Sequence, residues 1–238
     1  MSFFAFDLET TELAPEERGS DRVPPLACAA IALDDRGPGP GPGERFYPPE
    51  SDPGPRGTDG AMSAEGARHV VHRLEALAAE GLRLLTWNGA GFDLRVLAEA
   101  SGLHAGCARL TLGSVDMMFH VLAAKGYPLG LAAALEGMGL QPKSGGGTQA
   151  VELWRAGRYA DVLDYCAEDA RRTLALGVAA DEAGALSWRS GRGNPQRLSL
   201  PDGWLTVEEC LALPEPDTSW MDSPLRREDV VAWCLPAR

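Results

Sequence analysis

Five side chains in this sequence have the types and spacing to hold metal ions against a phosphate: Asp7, Glu9, Asp93, Tyr165 and Asp169. Asp7 and Glu9 lie inside FFAFDLETT (residues 3–11), Asp93 closes WNGAGFD (87–93), and Tyr165 and Asp169 bound YCAED (165–169). Carboxylates gathered in one place repel each other and are costly to bury unpaired. Divalent cations remove that cost, and two of them about 4 Å apart can drive phosphodiester cleavage. Mg2+ or Mn2+ suits such a site, since both take oxygen ligands and keep positions open for water and phosphate. In that chemistry one ion sharpens a water nucleophile and the other stabilises the leaving 3′ oxygen. Tyr165 is placed to orient the water. A phenol that titrates at about pH 10 is a poor base at neutral pH, so orientation is its expected role.

The spacing also predicts which elements carry these groups. Residues 2–8 are apolar and rich in aromatics, and read as a buried strand. Residues two apart on a strand share a face, so Asp7 and Glu9 can meet the same ion. Asp93 follows Asn88-Gly89-Ala90-Gly91-Phe92, a turn that lets a helix over Phe92–Ala100, closed by Gly102, begin close to a strand over Leu82–Trp87. Tyr165 and Asp169 are four apart on a long predicted helix from Tyr159 to about Ala183, so they too share a face. Three separated elements converging on one point are a common way to build a rigid metal site.

The remaining pattern supplies the frame. Residues 26–33 read as a second strand and Arg45–Tyr47 as its antiparallel return, with a Gly/Pro-rich tip over Asp34–Glu44. Residues 48–62 connect to a helix capped by Ser63 and ended by Gly81, with Ala67, Val70, Val71, Leu74, Leu77 and Ala78 on its apolar face. Asp116 is expected to cap a helix that Gly126 stops. Further helices are expected over Leu131–Met138 and Val151–Ala156, with a flexible Gly-rich loop at 144–147 between them. Strands first, then mixed elements, then helices predict an α/β class with a mixed sheet flanked by helices.

The core is expected to occupy residues 1–186, and residues 187–238 to form a Trp/Pro-rich C-terminal extension packing on it. That extension holds four of the six tryptophans, Trp188, Trp204, Trp220 and Trp233. Anchoring to the core surface is favoured for them over stacking on unpaired bases. Thr206 with Glu209 has capping-box spacing, and Ser223-Pro224 reads as another helix start.

Composition narrows the partners. Among 238 residues, 45% are hydrophobic and 24% charged, ordinary for a soluble globular chain. No run of eighteen apolar residues occurs, so no membrane span is expected. A signal peptide is not expected either, because its cleavage would remove Asp7 and Glu9. Five cysteines without a CxxC pair, and few histidines, argue against zinc and a disulfide framework and predict a cytoplasmic protein. A net charge of −12 argues against coating nucleic acid by bulk charge, so any grip must be local.

FDLETT, NxxxFD and YxxxD resemble the three exonuclease motifs of the DEDDy-type 3′–5′ exonucleases, DnaQ-like members of the ribonuclease H-like superfamily that include proofreading domains and RNA-trimming nucleases. Motif order and intervals match over roughly residues 3–180. A sister group carries His five residues before the last Asp, whereas here Tyr165 stands four before it. The resemblance implies a ribonuclease H-like fold, two Mg2+ or Mn2+ ions held by Asp7, Glu9, Asp93 and Asp169, and a water positioned by Tyr165. It implies hydrolysis at the 3′ end of single-stranded DNA or RNA with release of nucleoside monophosphates.

Candidate substrate contacts are Thr10 and Thr11 after the first motif, Asn88 and Phe92 in the second, and Lys143. Leu131–Leu140 followed by Lys143 is similar to a helix and lysine of ribonuclease D-like members. Each has a plainer reading: a strand end for the threonines, a turn for Asn88, a solvated loop for Lys143. Asp116 is read as a cap rather than a fifth ligand, His69 and His72 as an exposed face, and Arg171 and Arg172 as solvated or ion-paired. Two other functions fit the same residues, a non-catalytic nucleic-acid or protein-binding adaptor and an endonuclease. Discrimination of DNA from RNA rests on 2′-hydroxyl contacts that no residue here announces.

Overall fold

Strand β1 (Phe3–Thr10) is the centre of the molecule, and its alternation sets everything packed around it. The computed structural model describes residues 2–13, 22–34, 43–46, 61–142 and 149–235. The strand tip expected within 34–44, most of the connection at 48–62 and the loop at 144–147 lie outside them. β1 pairs antiparallel with β2 (Leu26–Leu33), which pairs antiparallel with β3 (Glu44–Phe46). On its other side β1 runs parallel to β4 (Arg83–Thr86), and β4 parallel to β5 (Val115–Asp116). The sheet order is β3-β2-β1-β4-β5.

Odd residues of β1 face one layer and even residues the other. Phe3 and Ala5, with Cys28 and Ala30 of β2, pack against Cys166, Ala170 and Leu176 of the long helix. Phe4, Phe6 and Leu8 pack with Ile31 against Val70, Val71 and Leu74. Each fully buried Phe or Leu contributes about 1.5–3 kcal/mol, so the two-sided burial of β1 is a strong constraint on its register. Glu9 is followed by a register shift against β2, and the strand ends one residue later.

The helices that matter follow their predicted caps. α1 (Ala64–Ala79) begins at Ser63, whose hydroxyl accepts from the Gly66 N–H. α2 (Asp93–Ser101) ends at Gly102 in the left-handed conformation. α3 (His104–Gly113) was not expected, nor was the two-residue strand β5. α4 (Met117–Lys125) starts at Asp116 and ends at Gly126. After α5 (Leu131–Gly137) and α6 (Gln149–Arg155), α7 (Tyr159–Ala183) crosses β1 and β2. It settles close to the sheet at Gly177, where an added Cβ would stand 2.4 Å from Leu85 Cδ1. Glycine costs about 1 kcal/mol relative to alanine in a helix, and here it permits that approach.

The chain then forms a two-stranded antiparallel sheet, β6 (Ala185–Arg189) and β7 (Pro195–Ser199), and the boundary expected at 186/187 falls inside β6. Trp188 and Trp204 are buried with α7, and Trp204 Nε1 donates to Gly177 O at 2.8 Å. α8 (Val207–Leu211) carries the expected capping box from Thr206 and Glu209. α9 (Arg227–Val230) starts after Arg226, not at Ser223-Pro224. Its first residue is held from afar: the Arg227 guanidinium is buried against Cys210 O and Glu215. Trp220 is the exposed member of the tail tryptophans, at 65%, its ring edge toward Tyr127. No helix among the described residues is long and apolar enough to cross a membrane.

Candidate metal centre

The odd face of β1 puts Asp7 and Glu9 toward α7, just past the apolar residues that fix the strand. From α7, Cys166 donates its thiol to Asp7 O at 3.4 Å, three residues before Asp169. That contact and the surrounding small residues bring the helix down onto the strand. Carboxylate oxygens of Asp7, Glu9 and Asp169 all lie within 4.8 Å of one another. Asp169 is buried, while Asp7 and Glu9 are half-buried. The Cys166 thiol is pushed well above its ordinary range, first by burial, then by the Cys28 thiol and the nearby Asp7 and Glu9 carboxylates.

Asp93 arrives by another route. β4 pairs with β1 as far as Ala5, so the Leu8 N–H lies beyond its reach. Asp93, in the first turn of α2, accepts that N–H through Oδ1 at 3.3 Å. Its carboxylate therefore abuts the backbone between Asp7 and Glu9, outside the set of three whose oxygens share the 4.8 Å radius.

The turn that delivers Asp93 is clamped on several sides. Asn88 takes the left-handed conformation at φ 68°, rare for a residue with a side chain. Gly89 lies against Thr86, where a Cβ would come within 2.5 Å of Thr86 Cβ. Asp116 accepts from the N–H groups of Asn88 at 3.0 Å, Ala90 at 2.8 Å and Phe119 at 3.0 Å. Burial pushes the Asp116 pKa up, and these donors oppose the shift. From the C-terminal segment, Trp233 Nε1 donates to Ala90 O at 2.8 Å.

The other candidates divide. Tyr165 lies one turn before Asp169 on α7, partly buried against the α7-side core. Thr10 follows the register shift and pairs with Leu26. Thr11 is buried, its N–H bonds Pro25 O at 2.9 Å, and its hydroxyl has no hydrogen-bond partner among the described residues. Asn88 serves the turn, as its backbone and partners show. Phe92 precedes α2 and packs with the α1-side core. Lys143 lies outside the described residues. His69 sits by the Phe46 ring and His72 by Glu75, both exposed. Asp116 acts as the cap of α4.

Two features had not been read from the sequence, the hold of Asp116 on a turn 26 residues away and the bond by which Trp233 braces that turn, while the expected ion pairing of Arg171 and Arg172 is present. Arg172 Nη1 stands 3.2 Å from Asp169 Oδ1, and Nη2 3.3 Å from Glu168 Oε1. Its i,i+3 spacing from Asp169 was the available signal. Arg171, more exposed, pairs with Glu168 at 2.8 Å. Ion pairs of Arg155 with Glu12 and of Arg45 with Asp164 tie α6 to the chain just past β1 and β3 to α7.

The donor set fits a hard divalent cation, being all oxygen, anionic, and drawn from a strand and a packed helix. Exposed acidic groups alone would not argue this; Asp169 is buried at 1% exposure, and the cation the structure gives it is the Arg172 guanidinium at 3.2 Å. No protein-family model matches the chain, and no curated protein is significantly similar to it.

Proposed function

We propose that this chain is a metal-dependent nuclease, a DEDDy-type 3′–5′ exonuclease on a ribonuclease H-like fold. The observation that carries the reading is the meeting of Asp7, Glu9 and Asp169 within 4.8 Å, from elements 160 residues apart in sequence, with Asp93 bonded between the first two. The sheet order, antiparallel on one side of β1 and parallel on the other, supports the ribonuclease H-like assignment.

In this reading Asp7, Glu9, Asp93 and Asp169 hold two Mg2+ or Mn2+ ions. Bound there, the ions supply an activated water and a counter-charge for the leaving 3′ oxygen. Tyr165 orients that water from the face it shares with Asp169. The buried Thr11 hydroxyl and Thr10 lie just beyond Glu9, where the terminal nucleotide of a single DNA or RNA strand would rest. Asn88, Gly89 and Asp116 hold Asp93 in place rather than touching substrate.

The test uses 5′-labelled single strands of DNA and RNA with Mg2+ or Mn2+. A descending ladder is expected, and Asp7→Ala should lower kcat/KM by about 10³-fold or more. A circular single strand should survive, since opening it requires an endonuclease. No cleavage of any linear strand, or cleavage indifferent to Asp7→Ala, sinks the reading. The adaptor alternative draws on exposed Trp220 and Leu225 in an acidic segment. Its mark would be a folded protein that binds Mn2+ poorly.

A further inference from the structure

We propose that Arg172 is an internal counter-cation that a metal ion must displace from Asp169, so that this side chain sets how tightly the centre loads. The inference rests on the metal-centre reading above.

The Arg172 side chain is 15% exposed and that of Asp169 2%, so their 3.2 Å contact is shielded from water. A shielded guanidinium on a ligand carboxylate does two things. It withdraws charge that the oxygens would offer a metal, and it places a positive charge beside an incoming cation. Metal and guanidinium therefore compete for the same carboxylate.

The structure also holds a second seat for the guanidinium. Glu168, one residue away and 44% exposed, already forms an ion pair with Nη2 at 3.3 Å. The Arg172 Nε–H is buried without a hydrogen-bond partner among the described residues, so the present pose leaves one donor unsatisfied. A small rotation toward Glu168 and solvent relieves that cost and frees Asp169. Arg171 cannot take this part: its side chain is 51% exposed and its donors are on Glu168. Arg172 is thus a positioning residue that acts through Asp169, and Glu168 governs its balance.

Calorimetric titration of the full chain with MnCl2, without nucleic acid, tests this. Arg172→Gln is expected to bind Mn2+ roughly tenfold more tightly than the wild type, one opposing charge removed at close range. Arg172→Lys, which keeps the charge, should stay near the wild type. Glu168→Gln should bind roughly threefold more weakly, since the guanidinium then commits to Asp169. A purely structural role predicts weaker binding for Arg172→Gln, the opposite sign. A folded Arg172→Gln that binds Mn2+ equally or more weakly overturns the proposal, as does Arg172→Lys behaving like Arg172→Gln. Should Arg172→Gln fail to fold, Glu168→Gln decides alone, and unchanged or tighter binding overturns the proposal. A wild-type protein that binds no Mn2+ removes the metal centre itself, an outcome distinct from all of these.

Discussion

Asp116 is a buried carboxylate that serves the backbone instead of joining the acidic cluster, and the position of Asp93 depends on it. Its two oxygens take three N–H groups, two of them in the turn that delivers Asp93. Replacing it by alanine strands those donors in a dry interior. A buried donor left without an acceptor costs about 1–3 kcal/mol, so Asp116→Ala should lower unfolding stability by about 3 kcal/mol or more. Mn2+ affinity should fall with it, because the Asp93 carboxylate loses its fixed seat. Urea unfolding and calorimetry read both, and an unshifted midpoint would refute the clamp. At this scale spacing alone put Asp7 with Glu9, and Tyr165 with Asp169, on shared faces, whereas the meeting of those two faces was implied by the motif resemblance and not by periodicity. The sequence was silent on the turn contacts of Asp116, which join residues 26 and 28 apart through space and leave no periodic trace.

The turn at 87–92 is an element held from outside itself. Trp233 bonds Ala90 O, and Val230 lies where a Cβ on Gly91 would come within 3.0 Å of it. Trp233→Phe keeps most of the ring and loses the hydrogen bond, with a net cost of about 1 kcal/mol. Amide exchange at residues 88–93 should quicken by roughly fivefold while α1 is unchanged, since the loss is local. Equal quickening in both would mean that the tail stabilises the domain globally and has no particular hold on the turn.

The same contrast explains which elements were legible. α1, α2 and α4 announce themselves through Ser63, Gly102, Asp116 and Gly126, residues whose chemistry is used at those ends. α3 has no side-chain cap at Leu103, and its buried positions include Gly106 and Thr111 beside Cys107 and Leu110, so its apolar face is faint. β5 is two residues long and is defined by its partner. β7 turns a single apolar residue, Leu198, inward. α9 begins where long-range contacts hold Arg227, which overrode the local Ser-Pro signal.

For the whole molecule, charge sets the terms of encounter. The chain carries a net −12, and a nucleic acid strand is a polyanion. Their long-range interaction is repulsive outside the immediate site. Raising KCl from about 20 to about 150 mM shortens the screening length from roughly 20 Å to about 8 Å. For the nuclease proposed above, kcat/KM at fixed Mg2+ should therefore hold or rise over that range, where that of a basic nuclease would fall. Initial rates at low substrate check this, and a tenfold fall would reveal a cationic track strong enough to outweigh the net charge.

Asp169 and Gly177 share one continuous helix, eight residues and about 12 Å apart. The bare backbone at 177 rests on Leu85, which makes that contact a fulcrum and the helix a rigid lever. A Cβ at 177 would meet Leu85 Cδ1 at 2.4 Å, so a residue larger than glycine must either turn that methyl aside or lift the helix there and carry the Asp169 carboxylate with it. The smallest residue in α7 thus gauges the gap in which a cation would have to fit.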